Sequence, residues 1–197
     1  EPVRLVVGDV VAAFVLENEV HEALEHAVQF ARLQRGPRGA SKRVQQLASV
    51  LQDAGFQATV AADVRRDIWY KLWGNMTMNP LTAITGATVD QVLDDPLTRK
   101  FCTDAMAEAA AVGARIGCAI DQSPEDRHQI TRKLGAFKTS MLQDVEAGRP
   151  IELDALVTVV QEIAQRVGVA TPTIDALLGL ARLHGRVHGL YPAAAAA

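Results

Sequence analysis

Cysteine, aromatic residues and long apolar runs are all scarce in this chain of 197 residues. Its only cysteines, Cys102 and Cys118, are too few and too far apart for a disulfide framework or a metal clip, so the cytoplasm is the expected location. No apolar run approaches the roughly 20 residues that cross a bilayer, and no basic-then-apolar leader is found. The net charge of −3 does not favour a nucleic-acid partner. These absences predict a protein that binds neither membrane nor nucleic acid.

What is present is ordinary globular composition, with 49% hydrophobic and 22% charged residues. Because aromatics make up only 5%, Ala, Val and Leu must carry the core, and this suits close helix packing. The length allows one large domain or two small ones.

The first 62 residues have a mixed pattern. The stretch 3–16 is rich in β-branched residues and reads as strand, 17–26 is ambiguous, and 27–33 alternates like a strand. A helix capped by a serine is expected over 42–54, followed by a short strand at 57–60. This part is α/β but short of strands for an independent sheet.

From residue 63 to residue 192 the pattern predicts one helix after another. An Ala-rich helix over 97–116 should be central, because small residues let neighbouring helices approach closely. Helix starts are indicated at Asp63 or Asp67, at Ser123–Pro124 and at Thr171–Pro172. An amphipathic helix is expected over 153–167, and a last helix over about 173–184. The tail 193–197 is low in complexity and is excluded from the fold.

One predicted helix, over 69–84, carries an unusual polar stripe. Lys71, Asn75 and Asn79 are four residues apart, so on a helix their side chains stay on one face. Asparagine is a poor helix former, and Pro80 removes a backbone donor next to Asn79. The stripe could face water, the asparagines could join two helices, or the group could form a binding site.

A second polar group lies further along the chain. Ser140 follows two other polar residues, and Glu152 and Asp154 flank Leu153 after a Gly–Arg–Pro turn. Acidic residues at this point could simply favour the start of a helix through its dipole. Composition alone does not decide between such capping and a functional role.

Together the two segments carry a resemblance. The first reads Trp–x–Lys–Leu–x–x–Asn–x–x–x–Asn–Pro–Leu–Thr–Ala, and the second Ser–Met–Leu–Gln–Asp–x–x–x–Gly–Arg–x–x–Glu–x–Asp. In this order they resemble the ketopantoate reductase family (2-dehydropantoate 2-reductases), as does the closing stretch 168–172. The resemblance covers roughly residues 41–183.

The resemblance implies a fold and an activity. The fold class would be mainly α: an all-helical C-terminal domain at 63–192, similar to the C-terminal domain of 6-phosphogluconate dehydrogenase, after a short α/β remnant of a nucleotide-binding Rossmann domain at 1–62. The family reduces 2-dehydropantoate to pantoate with NADPH, on the route to pantothenate and coenzyme A. A similar 2-keto acid is an alternative substrate.

The resemblance also implies residue roles. Lys71 matches the family's catalytic lysine, which contacts the substrate carbonyl oxygen, and Glu152 matches the family's glutamate on the other side of the cleft. Asn75, Asn79 and Ser140 match substrate-binding positions. An ammonium suits this task because it places positive charge where an oxyanion develops.

The chain departs from the family at the cofactor. It has no Gly-x-Gly-x-x-Gly motif, and Gly36–Pro37–Arg38–Gly39 lacks the required spacing and context, so the cofactor-binding residues are unknown. The alternative function is a non-enzymatic, all-α dimerisation or ligand-binding module, and the Ala-rich helix is compatible with a homodimer. His184 and His188 have metal-compatible spacing, but a basic helix end is the expected role, and no metal is predicted. His128 is expected at the surface.

Overall fold

The computed structural model describes residues 4–7, 12–15 and 42–193. The strand predicted at 27–33, the ambiguous stretch 17–26 and most of the Ala tail lie outside these residues. The chain forms two compact units, Glu1–Lys71 and Leu72–Ala197, which are described separately.

In its described residues the first unit contains a three-stranded sheet and a helix that packs on it. Strand β1 (Arg4–Val7) lies between β2 (Ala12–Val15) and β3 (Gln57–Val60), antiparallel to β2 and parallel to β3. Helix α1 (Lys42–Asp53) packs against β3, where its Val44 and Ala48 meet Ala58 in a small apolar core. The predicted strand at 57–60 and the helix before it are confirmed, since β-branched residues and helical periodicity favour these elements.

The rest of the described chain is helical, which confirms the predicted mainly α fold. In these residues no helix is long and apolar enough to cross a membrane. The helices are α2 (Val64–Thr85), α3 (Val89–Asp94), α4 (Pro96–Arg115), α5 (Pro124–Arg132), α6 (Ser140–Glu146), α7 (Val159–Val167) and α8 (Pro172–Val187), with a π-helical turn at Asp154–Thr158 before α7.

Helix α4 is central to the second unit, as its alanine content predicts. Ala105, Ala109 and Gly113 are buried, and the helix packs against α3, α5, α7 and α8. Missing side-chain bulk at these positions allows the close approach of neighbouring backbones. The buried small residues of α4 are therefore used inside the chain.

Local capping explains where several helices begin. The Ser123 side chain accepts a hydrogen bond from the Asp126 amide, with Pro124 in the first helical position. Asp63 accepts from the Arg65 amide at 3.1 Å at the start of α2, so Asp63 rather than Asp67 is the capping acid. Both helices expected at the end of the chain are present, but α8 continues to Val187, three residues beyond the predicted end, and the helix over 153–167 begins with a π-helical turn.

The last helix contains a matched pair of glycines. A Cβ atom on Gly185 would lie 2.6 Å from Tyr191 Cβ and 3.0 Å from Ile151 Cδ1, whereas one on Gly179 would meet nothing within 4 Å. Gly185→Ala is therefore expected to cost about 1–3 kcal/mol through overpacking. Gly179→Ala should stabilise the helix by up to ~1 kcal/mol. Urea unfolding of both variants measures the difference, and equal stabilities would contradict the packing of α8 against Tyr191.

Candidate functional site

The polar stripe lies on one long helix, as its spacing predicts. Helix α2 is continuous from Val64 to Thr85, with Pro80 inside it. Four-residue steps on such a helix turn by about 40°, so Lys71, Asn75 and Asn79 share a face. The opposite face is anchored, because Trp73 is buried and its Nε1 donates to the Met106 carbonyl at 2.7 Å.

Burial distinguishes the members of the stripe from ordinary surface residues. Lys71 and Asn75 are half-buried, and Asn79 is only 7% exposed. Desolvation by burial lowers the pKa of the Lys71 ammonium, because the charged form loses water. In the described chain the buried threonines and His128 have hydrogen-bond partners, whereas none is found for the Asn79 carboxamide. A buried carboxamide without a partner has the capacity to bind a polar ligand.

A buried hydroxyl pair joins the stripe to the start of α6. Thr82 Oγ1 lies 2.7 Å from Thr139 Oγ1 and also donates to the carbonyls of Met78 and Asn79. The Thr139 hydroxyl in turn accepts from the Leu142 amide and caps α6. Ser140, the first residue of α6, is exposed. Through this contact the structure joins the turn of α2 that follows Asn79 to Thr139, the residue before Ser140.

Glu152 lies on a segment that the end of the chain holds in place. Its neighbours Ile151 and Leu153 are buried, while Glu152 itself is exposed. The Ile151 amide donates to the Leu190 carbonyl at 2.9 Å. Among the described residues, no hydrogen bond or ion pair joins Glu152 to Asn75, Asn79 or Ser140. The structure therefore fixes the backbone around Glu152 without bringing its carboxylate into contact with those side chains.

The π-helical turn after Glu152 has its own polar contacts. The Asp154 carboxylate accepts from Tyr191 Oη at 2.7 Å and from Thr158 Oγ1 at 2.8 Å. The hydrogen bond from Tyr191 is the main reason that the pKa of Asp154 is lowered, and the same bond raises the pKa of Tyr191. Asp154 is therefore held by Thr158 of its own turn and by the distant Tyr191, whereas Glu152 is exposed. Single π-helical turns often occur at functional sites.

His128 was wrongly expected at the surface. Its ring is buried, Nε2 lies 3.0 Å from Thr103 Oγ1, and burial lowers its pKa. It lies beside a depression of the second unit that contains no residue of the stripe and is lined by Leu93, Arg99, Glu125, His128, Gln129 and Arg132. Within the described residues no group of three or more His, Cys, Asp or Glu side chains could hold a metal ion.

Comparison with known families assigns the chain to a family. Residues 63–185 match the family model described as the ketopantoate reductase PanE/ApbA C terminal. The chain belongs to the ketopantoate reductase family. The matched range contains every residue to which a role was assigned, from Lys71 to Glu152. The resemblance stated from the two motifs is thereby confirmed as family membership.

Individual ketopantoate reductases agree with the family match. The 2-dehydropantoate 2-reductase of Mesorhizobium japonicum is 44% identical over 151 residues, which are 77% of this chain and 46% of that protein. A Ralstonia solanacearum crystal structure, provisionally assigned as a ketopantoate reductase, is 53% identical, with a TM-score of 0.74 over 82% of this chain and 52% of that one. A dimeric ketopantoate reductase from Staphylococcus aureus shares the fold at 23% identity, with a TM-score of 0.66 over 77% and 54% of the two chains. The chain spans about half the length of these relatives.

Thr139, just before the second ketopantoate reductase motif, and Ser140, its first residue, carry adjacent hydroxyls whose expected effects on stability differ. Thr139→Val removes both the cap of α6 and the partner of Thr82, and should cost about 1–3 kcal/mol of unfolding free energy. Ser140→Ala changes an exposed side chain and should stay within about 0.5 kcal/mol of the parent. Thr139→Ser keeps the hydroxyl and serves as the matched control. Thermal unfolding compares the three variants, and a Thr139→Val variant as stable as Ser140→Ala would contradict the capping role.

Proposed function

We propose that this chain supplies the substrate side of an NADPH-dependent reductase that converts 2-dehydropantoate, or a similar 2-keto acid, into the 2-hydroxy acid. The observation that carries the proposal is the partly desolvated Lys71 ammonium on the same face of α2 as two carboxamides, one of them buried. Family membership supports the same reaction. The product pantoate would serve pantothenate and coenzyme A synthesis.

Each residue receives a role that its chemistry allows. The Lys71 ammonium contacts the substrate carbonyl oxygen, stabilises the negative charge that develops there and donates the proton that completes the hydroxyl group. Asn75 and Asn79 orient the substrate by hydrogen bonds and add no charge. Ser140 binds the substrate from the start of α6, and Glu152 contacts the substrate or its hydroxyl from another side.

The cofactor belongs to the proposal through the family. The described residues do not fit a dinucleotide, because no glycine-rich turn links a strand to a helix among them, and the amino-acid sequence has no Gly-x-Gly-x-x-Gly. We propose that the α/β segment 1–62 is part of the nucleotide-binding domain. NADPH, when bound, supplies the hydride, and the residues of this chain bind and orient the substrate that receives it.

The assembly and the location are also proposals. The Staphylococcus aureus relative with this fold is dimeric, which supports a homodimer through the helical domain. Cys102 and Cys118 are both buried and neither forms a disulfide, which is compatible with the cytoplasm. Nothing in the comparisons favours a non-enzymatic module.

The test is a substrate panel on the full-length protein. NADPH oxidation is followed with 2-dehydropantoate and with smaller and larger 2-keto acids, and saturable turnover is expected with at least one of them. Glu152→Gln should lower kcat/KM while thermal unfolding stays unchanged, because Glu152 is exposed. Glu146→Gln, which changes an exposed carboxylate paired with Lys138, is the control. Folded protein that binds NADPH but reduces no 2-keto acid would overturn the proposal.

A further inference from the structure

Helix α8 is apolar on both of its faces. One face carries Ile174, Leu177, Leu178 and Ala181, which are buried in the second unit. The opposite face carries Ala176, Leu180, Leu183 and Val187, which we call the outer stripe. Leu180 is 58% exposed, Leu183 61% and Val187 71%. Single exposed leucines need no explanation, but a continuous apolar stripe marks an interaction surface.

The spacing of the outer stripe matches that of a coiled coil. Its four residues follow one another at intervals of four, three and four positions, which is the a/d pattern of a heptad repeat. The pattern is symmetric about a midpoint between residues 181 and 182. If a second copy of α8 packs antiparallel on this midpoint, Leu180 meets Leu183 of the second copy and Ala176 meets Val187 of the second copy. Such a surface is complementary to itself, as a two-fold interface requires.

The charges along α8 favour the antiparallel orientation modestly. Asp175 lies in the first turn and Arg186 in the last, on the same flank of the outer stripe. Antiparallel packing places Asp175 near Arg186 of the second copy at both ends, whereas parallel packing would place these flanks on opposite sides of the contact and would not pair them. Both side chains are exposed, although each has contacts within the chain: Asp175 with Gln161, and Arg186 with the Pro192 carbonyl and the Tyr191 ring.

We propose that the outer stripe of α8 is the surface through which two copies of this protein form an antiparallel homodimer. The inference deepens the assembly given in the proposed function and does not depend on the reductase activity. The Ala-rich helix α4 was the dimer contact considered from the sequence, but its small residues are buried inside the chain. The proposed dimer contact is therefore the last helix, α8. One helix face per copy is a small interface, so the dimer should dissociate on dilution.

The first test measures association of the full-length protein by sedimentation equilibrium over a concentration series. Leu183→Glu places a carboxylate against Leu180 of the second copy, and the two-fold symmetry repeats this contact. The variant should therefore raise the dimer dissociation constant on the order of 100-fold. Leu97→Glu, at a leucine on α4 that is 76% exposed, is the matched control and should leave association unchanged. A protein that stays monomeric at all concentrations, or a Leu183→Glu dimer as tight as the parent, would overturn the proposal.

The second test determines the relative orientation of the two α8 helices and which segment covers the outer stripe. Under mild oxidation, an equimolar mixture of Leu180→Cys and Leu183→Cys proteins should cross-link faster than either variant alone. The native Cys102 and Cys118 are buried and serve as an internal control for nonspecific oxidation. Faster cross-linking of Leu180→Cys alone would indicate a parallel pair. A slow reaction of Leu183→Cys with a thiol reagent in a monomeric protein would assign the stripe to another segment of the same molecule. Either result would overturn the proposal.

Discussion

Lys71→Met in the full-length enzyme is expected to lower kcat by about 10²–10⁴-fold, the usual contribution of a positioned proton donor. The side chain keeps its length but loses the charge that the carbonyl oxygen meets when it becomes an alkoxide. KM should change less than kcat, because this interaction strengthens only in the transition state. Steady-state kinetics with the best substrate of the panel measure both values.

Stability separates a catalytic lysine from a structural one. Burial lowers the pKa of Lys71, so the unfolded chain binds this proton more tightly than the folded protein does. Burial of Lys71 therefore lowers the free energy of unfolding by its full amount at pH values below the pKa of Lys71 in the folded protein. This destabilisation disappears as the pH rises towards the usual lysine pKa of about 10.4. Lys71→Met should be no less stable than the parent at neutral pH, and any gain should shrink as the pH is raised.

The matched control for this prediction is Lys138→Met. Lys138 is exposed and pairs with Glu146, so its loss should affect neither turnover nor stability appreciably. Near-parental kcat in Lys71→Met, or a loss of activity that follows a loss of folded protein, would contradict a catalytic role. The alkaline limit of activity is a further readout, because deprotonation of Lys71 should lower the rate at a lower pH than an exposed lysine would.

Most of the fold was predictable because its signals are local. Ser123 and Pro124 specify the start of α5 within one turn, and the proline at residue 172 does the same for α8. The small residues of α4 indicated its central position without knowledge of its neighbours. Where a helix boundary depended only on nearby residues, prediction and structure agree to within a few positions.

The errors occur where distant contacts decide the outcome. The π-helical turn at Asp154–Thr158 is accompanied by a hydrogen bond from Tyr191, which lies 37 positions away in the chain. His128 is buried beside Thr103, on a helix that precedes its own. Neither partner can be identified from periodicity, because periodicity reports only which face of an element is apolar.

The candidate site was predictable in part. Spacing alone placed Lys71, Asn75 and Asn79 on one helical face, and the structure contains that helix. Their roles rest on the family, since no spacing distinguishes a substrate-binding asparagine from a solvated one. The Thr82–Thr139 contact was missed, although Thr82 lies in the first motif and Thr139 directly precedes the second. Two threonines beside site residues were the available signal.

Trp73→Ala is expected to cost about 3–5 kcal/mol of unfolding free energy, because the indole is a large, fully buried side chain beneath the polar stripe. This loss is a large fraction of the stability of a typical domain and could leave too little folded protein to study. Trp73→Phe is the more informative variant. It keeps most of the apolar volume but removes the 2.7 Å hydrogen bond to the Met106 carbonyl, at a cost of about 1–3 kcal/mol.

Trp69 provides the comparison, because it is buried on the same helix one turn earlier and its Nε1 has no hydrogen-bond partner in the described chain. Trp69→Phe removes an indole of the same size without breaking such a bond, so it should destabilise less than Trp73→Phe. Urea unfolding of the two variants measures the difference. If Trp73 anchors α2 to α4, Trp73→Phe should also lower kcat/KM, since the stripe proposed to bind substrate lies on the other side of the same turns. Equal effects of the two substitutions on stability and turnover would contradict a role for the hydrogen bond to Met106. Packing of the aromatic ring alone would then hold α2 in position.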